Sequence, residues 1–250
     1  MKLNLKVALV SSIGAAILYV VMQPGGFDLV MVSDILCALV SGLCAFFAFL
    51  VVLKFGARGI FGSVNLGLFL AVFLWFLGEV AWGVYEVVFH VLVPYPSVAD
   101  VFYLLGYAPA IISVILFLRI LSKELTGLKV MVALLVGLIV IGLTFSFLLN
   151  PLLSSSTGFL TKVFDLAYPS LDSILLILAF MMLLVFAGAP TSMSWFWISV
   201  GIILMTIADI SFSFGTLYHW YYSGHATGLL YVWSYISLAL GFDNKRKQFD

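Results

Sequence analysis

Eight apolar segments, at residues 3–22, 33–54, 64–90, 98–121, 128–149, 166–187, 193–216 and 226–242, take up most of this 250-residue chain. About 20 apolar residues in helical form cross the hydrocarbon core of a bilayer. In lipid, an open chain satisfies its own N–H and C=O groups only as helix, so each run is expected to be a helical span. Composition closes off a soluble fold, because only 9% of residues are charged and 64% are hydrophobic, whereas a water-facing domain carries roughly 25% charged residues. The chain is therefore expected to be an all-α integral membrane protein with eight transmembrane helices, multi-pass in the cell membrane and partnered first by the lipid bilayer.

The breaks between segments hold turn chemistry: Gln23-Pro24-Gly25-Gly26, Gly56 to Gly62, Pro94-Tyr95-Pro96-Ser97, Ser122 to Gly127, Asn150-Pro151 through Gly158, Gly188-Ala189-Pro190-Thr191 and Ser223-Gly224. None is long enough for a folded domain. This predicts one membrane domain with no soluble domain, and it excludes a soluble enzyme or a nucleic-acid partner. No small-residue cleavage pattern precedes Gln23, so the first segment is expected to be a retained span.

Lys and Arg residues set orientation. With the N-terminus inside and eight spans, Lys2, Lys6, Lys54, Arg58, Arg119, Lys123, Lys129, Lys245, Arg246 and Lys247 fall on the cytoplasmic side, and only Lys162 does not. Both termini are then cytoplasmic. The acids segregate the other way: Asp28, Asp34, Glu79, Glu86, Asp100, Asp165, Asp172 and Asp209 fall in the outer half, while Glu124, Asp243 and Asp250 fall inside. A formal net charge of zero thus separates into a negative outer half and a positive inner half. Acidic residues contribute little to topology, so their placement calls for another cause.

The chain also repeats. The stretch Ala99 to Tyr107 aligns with Thr227 to Tyr235, matching Tyr103 and Tyr107 to Tyr231 and Tyr235. Upstream, Leu77-Gly78-Glu79 answers Ile207-Ala208-Asp209, and Ser33-Asp34-Ile35-Leu36 answers Leu171-Asp172-Ser173-Ile174. An offset of four helices keeps sidedness, which predicts a parallel four-plus-four duplication with halves 1–125 and 126–250. Repeated membrane halves often build a site at their interface.

Glu79 and Asp209 sit deep in their segments, where ionisable groups are costly and face a bundle interior or a wet cavity. On an ideal helix Glu79, Glu86 and His90 lie within about 20° of one face, with Trp82 beside them. Asp209, Ser213, Thr216 and Trp220 form the matching face in the seventh segment, and Asp100, Tyr103 and Tyr107 one in the fourth. Together with Tyr231 and Tyr235 they suggest an outward-facing acidic and aromatic pocket. Such walls suit a small cation, through Coulomb attraction and cation–π contact, or proton sensing through ionisation of Glu79 or Asp209. The same residues also fit a purely structural role, bonded to Tyr and Ser between helices. Metal binding is not expected: Glu86 and His90 are four apart, but no HExxH, Cys–His cluster or di-metal Glu-x-x-His motif is present. Cys37 and Cys44, seven apart on one helix, cannot bridge each other and read as small packing residues. No nucleophile–base motif, phosphate-cradling Gly loop or cofactor motif appears, so no cofactor and no enzymatic activity are expected.

Pro94-Tyr95-Pro96-Ser97-Val98-Ala99-Asp100-Val101-Phe102-Tyr103-Leu104-Leu105-Gly106-Tyr107 resembles the multi-span N-terminal membrane sensor regions of prokaryotic signalling proteins, those preceding diguanylate cyclase, PAS or histidine kinase modules. Asp209 to Tyr235 is similar to the last helical pair of such regions, with Gly228 where an Asp is expected. The resemblance implies sensing and signal transduction, without an output domain on this chain, and hence a separate cytoplasmic or membrane signalling partner. The alternative is a secondary transporter or channel for a cation or cationic metabolite. The inner halves of the spans offer it few polar residues, mainly Asn65, Ser113, Ser199 and Thr206.

Overall fold

A computed structural model describes residues 5–23, 27–154, 158–186 and 193–248. Lys2, Asp250 and the turn segments Pro24-Gly25-Gly26, 155–157 and Gly188-Ala189-Pro190-Thr191 lie outside the described residues, as does the side chain of Asp28. The chain forms α1 (Leu5–Met22), α2 (Phe27–Phe55), α3 (Gly59–Gly83), α4 (Val98–Ile120), α5 (Gly127–Thr144), the short α6 (Asn150–Ser154), α7 (Phe159–Phe186), α8 (Met193–Leu217) and α9 (Leu229–Lys247). Two π-helical turns, Val84–Val88 and Phe145–Leu149, extend α3 and join α5 to α6. The break expected from Asn150 to Gly158 is therefore still helical in its first part.

Among the described residues seven helices are long and apolar enough to cross a membrane. The eighth rod, α9 with the short turn Ala226–Gly228 before it, falls outside that group because its last turns carry Asp243, Lys245, Arg246 and Lys247. It is nonetheless the most enclosed helix, since every residue from Ser234 to Asp243 is buried. The sixth segment is longer than its sequence suggests: α7 starts at Phe159 and runs through Pro169. A membrane-buried helix tolerates such a proline where neighbouring groups take up the freed backbone.

Packing follows a closed cycle. α2 lies on α3, α3 on α4, α4 on α7, α7 on α8, α8 on α9, and α9 returns to α2; α1 flanks α9 and α5 flanks α7. Glycines set the closest crossings. A Cβ at Gly201 of α8 would lie 2.9 Å from the Leu238 backbone N, and one at Gly241 of α9 would lie 2.8 Å from the Ser194 carbonyl oxygen. On α4 a Cβ at Gly106 would meet the Trp75 ring at 2.5 Å. Small residues of this kind let helix backbones approach closely where lipid offers no hydrophobic drive for association. Cys37 and Cys44 are buried free thiols in the same packed core.

Candidate functional site

Carboxylates from α2, α3, α4, α7 and α8 gather toward the end of the bundle away from the Lys245-Arg246-Lys247 cluster. All but Asp34 of α2 are met by hydroxyl or indole donors. Tyr235 of α9 donates to Glu79 Oε1 of α3 at 3.0 Å. Tyr231 of α9 donates to Asp209 Oδ1 of α8 at 2.8 Å. The Tyr107 hydroxyl of α4 lies 3.0 Å from Asp209 Oδ2 and 2.6 Å from Asp172 Oδ1 of α7. Tyr103 of α4 faces Glu79. Two of these contacts, α3 to α9 and α4 to α8, join helices that are not neighbours in the cycle, so they cross its interior.

A second layer sits around Glu86, which is buried in the π-helical turn after α3. The Trp82 indole N–H donates to Glu86 Oε2 at 2.9 Å and the Ser223 hydroxyl to Oε1 at 2.6 Å. Asp34 of α2 faces the same carboxylate. Asp100 is used differently from the expected face. It closes a capping box with Ser97 at the start of α4 and accepts from Tyr168 of α7 at 2.9 Å. The capping box takes up backbone N–H groups that the first helical turn leaves unpartnered.

Of the residues expected at the site, Glu79, Trp82, Glu86, Tyr103, Tyr107, Asp209, Tyr231 and Tyr235 therefore lie in this bonded cluster. Asp100 joins through Tyr168, whose ring packs edge-on against Tyr107 at 6.3 Å. His90 does not join. The π-helical turn inserts an extra residue per turn and ends the helix at Val88, leaving His90 exposed with φ 54. Ser213 is half-buried one turn beyond Asp209 and is not among the groups bonded to it, while Thr216 and Trp220 are exposed. Asp172, Asp34, Tyr168 and Ser223 belong to the cluster without having been expected there. For Asp172 and Asp34 the available signal was their match to each other in the repeat.

Two surface grooves are found elsewhere: one at the basic end, lined by Leu50, Leu53, Lys54 and Arg246, and one on an apolar flank that includes Val140, Phe147, Ile207 and Phe214. Neither is lined by an acidic residue. Among the described residues no group of three or more His, Cys, Asp or Glu side chains is arranged to hold a metal ion.

The loop between α8 and α9 closes over the cluster through Ser223 and carries one titrating cap. His225 Nδ1 accepts the Thr227 backbone N–H at 3.2 Å, which only the unprotonated nitrogen can do. Partial burial lowers the His225 pKa from its ordinary 6.5. The folded loop thus favours the neutral ring, and the cap's contribution is complete above that ordinary value. It is lost as pH falls through the lowered one. The protection of the Thr227 amide, its exchange by NMR relative to the unstructured rate at the same pH, is expected to fall on that acidification in the wild type, and to be low at every pH in His225→Ala.

No family model, curated protein or solved structure matches the chain. Fold and site together define its class: a multi-pass, all-α membrane protein, consistent in general with sensor or transporter roles.

Proposed function

We propose that the protein is a non-enzymatic membrane sensor, which takes up protons or a small cation at the acidic and aromatic cluster and signals to a separate partner. In this reading the acidic end faces outward, both termini are cytoplasmic, and the chain is a parallel four-plus-four repeat. One observation carries most of the weight. Glu79 is bracketed by Tyr103 from its own half and Tyr235 from the other, and Asp209 is bracketed by Tyr231 from its own half and Tyr107 from the other. Charge taken up or released at the cluster therefore acts on both halves at once. The basic end, with Lys54, Arg246 and Lys247, offers a surface for a partner or for anionic headgroups.

The test is thermal unfolding of the purified protein, with tryptophan emission as a second readout, across about pH 5 to 8 and with sodium or tetramethylammonium. The wild type is expected to shift its Tm by several degrees with proton or cation load. Glu79→Gln with Asp209→Asn is expected to flatten the response, and an unchanged response in that double variant sinks the reading.

A transporter remains the second reading, because Asn65 Oδ1, on the basic side of the cluster, and Ser234 Oγ, level with it between Tyr231 and Tyr235, are buried without partners. Counterflow of a labelled cation in proteoliposomes would promote it above the sensor.

A further inference from the structure

The Tyr107 hydroxyl has one proton, yet its oxygen lies 2.6 Å from Asp172 Oδ1 and 3.0 Å from Asp209 Oδ2. One O–H can donate along only one of these contacts. If both carboxylates were ionised, the other contact would set a phenol lone pair against a carboxylate lone pair. Two negative charges would also share one buried hydroxyl. A proton supplied to one of the acids removes both conflicts.

We infer that Asp172, Tyr107 and Asp209 form a proton-binding site that holds its proton on Asp172. The acid O–H of Asp172 donates to the Tyr107 oxygen, the Tyr107 O–H donates to Asp209 Oδ2, and the Tyr231 O–H donates to Asp209 Oδ1. Each tyrosine contact then has one proton in it, and the direct approach of the Asp172 and Asp209 carboxyl groups no longer sets charge against charge. The placement follows from how the two acids are served. Asp209 has a donor on each oxygen, the environment of an ionised carboxylate. Asp172 has 0% of its surface exposed, and its Oδ2 has no hydrogen-bond partner. A charged oxygen in that position is far more costly than the carbonyl oxygen of a neutral acid.

Asp34, the repeat counterpart of Asp172, shows the same pattern independently. It is 8% exposed, its Oδ2 is buried without a partner, and the neighbouring Glu86 holds the two donors. In each half the α2-type aspartate is the one left short of donors.

The groups facing the pair come from every helix packed on it. α4 supplies Tyr107 and Tyr103, with Asp100 reached through Tyr168; α9 supplies Tyr231; α3 supplies Glu79; and α7 itself supplies Tyr168. α5 and the turn after it present Ala133, Gly137, Thr144 and Leu148 as their buried residues, none of which titrates. When the Asp172 proton leaves for solvent, two negative charges are left on one hydroxyl where α4, α7 and α8 meet, and they repel. This deepens the sensor reading by naming the proton as the ligand, and it rests on that reading only for its signalling consequence.

Infrared spectroscopy of the reconstituted full-length protein, in H2O and D2O, tests it. The wild type is expected to show a protonated-carboxyl C=O band near neutral pH, shifted by deuterium and lost on titration to strongly alkaline pH. Asp172→Asn keeps an N–H donor toward Tyr107 and is expected to lack that component while retaining any other carboxyl bands. Spectra of Asp172→Asn identical to wild type overturn the assignment. Should that variant fail to accumulate, Tyr107→Phe serves instead. Removing the acceptor must raise the frequency of the acid band, and an unmoved band overturns the site. A band that titrates while tryptophan emission stays flat with pH supports the proton site and defeats the sensor. A pH-dependent emission without the band does the reverse.

Discussion

Asp209→Ala is expected to destabilise the protein by about 3 kcal/mol, measured as denaturant or thermal unfolding in detergent. The carboxylate accepts from Tyr231 and Tyr107, on α9 and α4, and it stands on α8. Truncation strands the Tyr231 hydroxyl in the bundle interior, leaves Tyr107 with Asp172 as its only partner, and opens a hole between three helices. Hydrogen bonds between membrane helices average only about 0.6 kcal/mol, because a helix separated in lipid finds other partners. The larger figure is expected here because charge-assisted bonds are stronger and two are lost together. Asp209→Asn keeps the volume and one acceptor, so a loss near 1 kcal/mol is expected. If Asp209→Ala and Asp209→Asn cost the same, the hydroxyl contacts add nothing to the packing.

Gly241→Val is expected to cost about 3 kcal/mol or more, and to displace α9. A Cβ at Gly241 would stand 2.8 Å from the Ser194 carbonyl oxygen and 2.9 Å from the Ile198 backbone N. Both are backbone atoms of α8, so no rotamer change relieves the clash and the helices themselves must part. Because Asp209 and Tyr231 belong to this same helix pair, the separation should also lengthen their contact and weaken any proton or cation response. Gly14→Ala is the control: a Cβ there meets nothing within 4 Å, and a change within about 0.5 kcal/mol is expected. Comparable losses in the two variants would mean that the close crossing is not what holds α8 to α9.

The helices were legible because lipid imposes one rule on every span, and the apolar runs obey it from Leu5 through α9. The depth of Glu79 and Asp209, and the Tyr pairs of α4 and α9, pointed to groups that do meet. What failed was the assumption of an ideal helix. A π-helical turn at Val84–Val88 left Glu86 buried but ended the helix before His90, and no residue in that turn announces it. Asp100 shares a helical-wheel face with Tyr103 and Tyr107, yet Ser97 three residues earlier makes it a capping residue, a pattern that a helical wheel does not register. Asp172 was visible as one of the outer-half acids and as a match to Asp34. Its contact with Tyr107 depends on α4 packing against α7, which no local pattern specifies.

The enclosure of α9 has a mechanical side. Its 19 residues make a rod about 28 Å long at 1.5 Å per residue. The rod holds Tyr231 and Tyr235 near one end and Lys245, set over the Trp195 ring at 3.6 Å, near the other. A helix with a free face can absorb a push by rearranging side chains toward lipid. One buried on all sides from Ser234 to Asp243 has no slack between its ends, so a tilt imposed at the tyrosines is delivered at the lysines as displacement of the whole shaft.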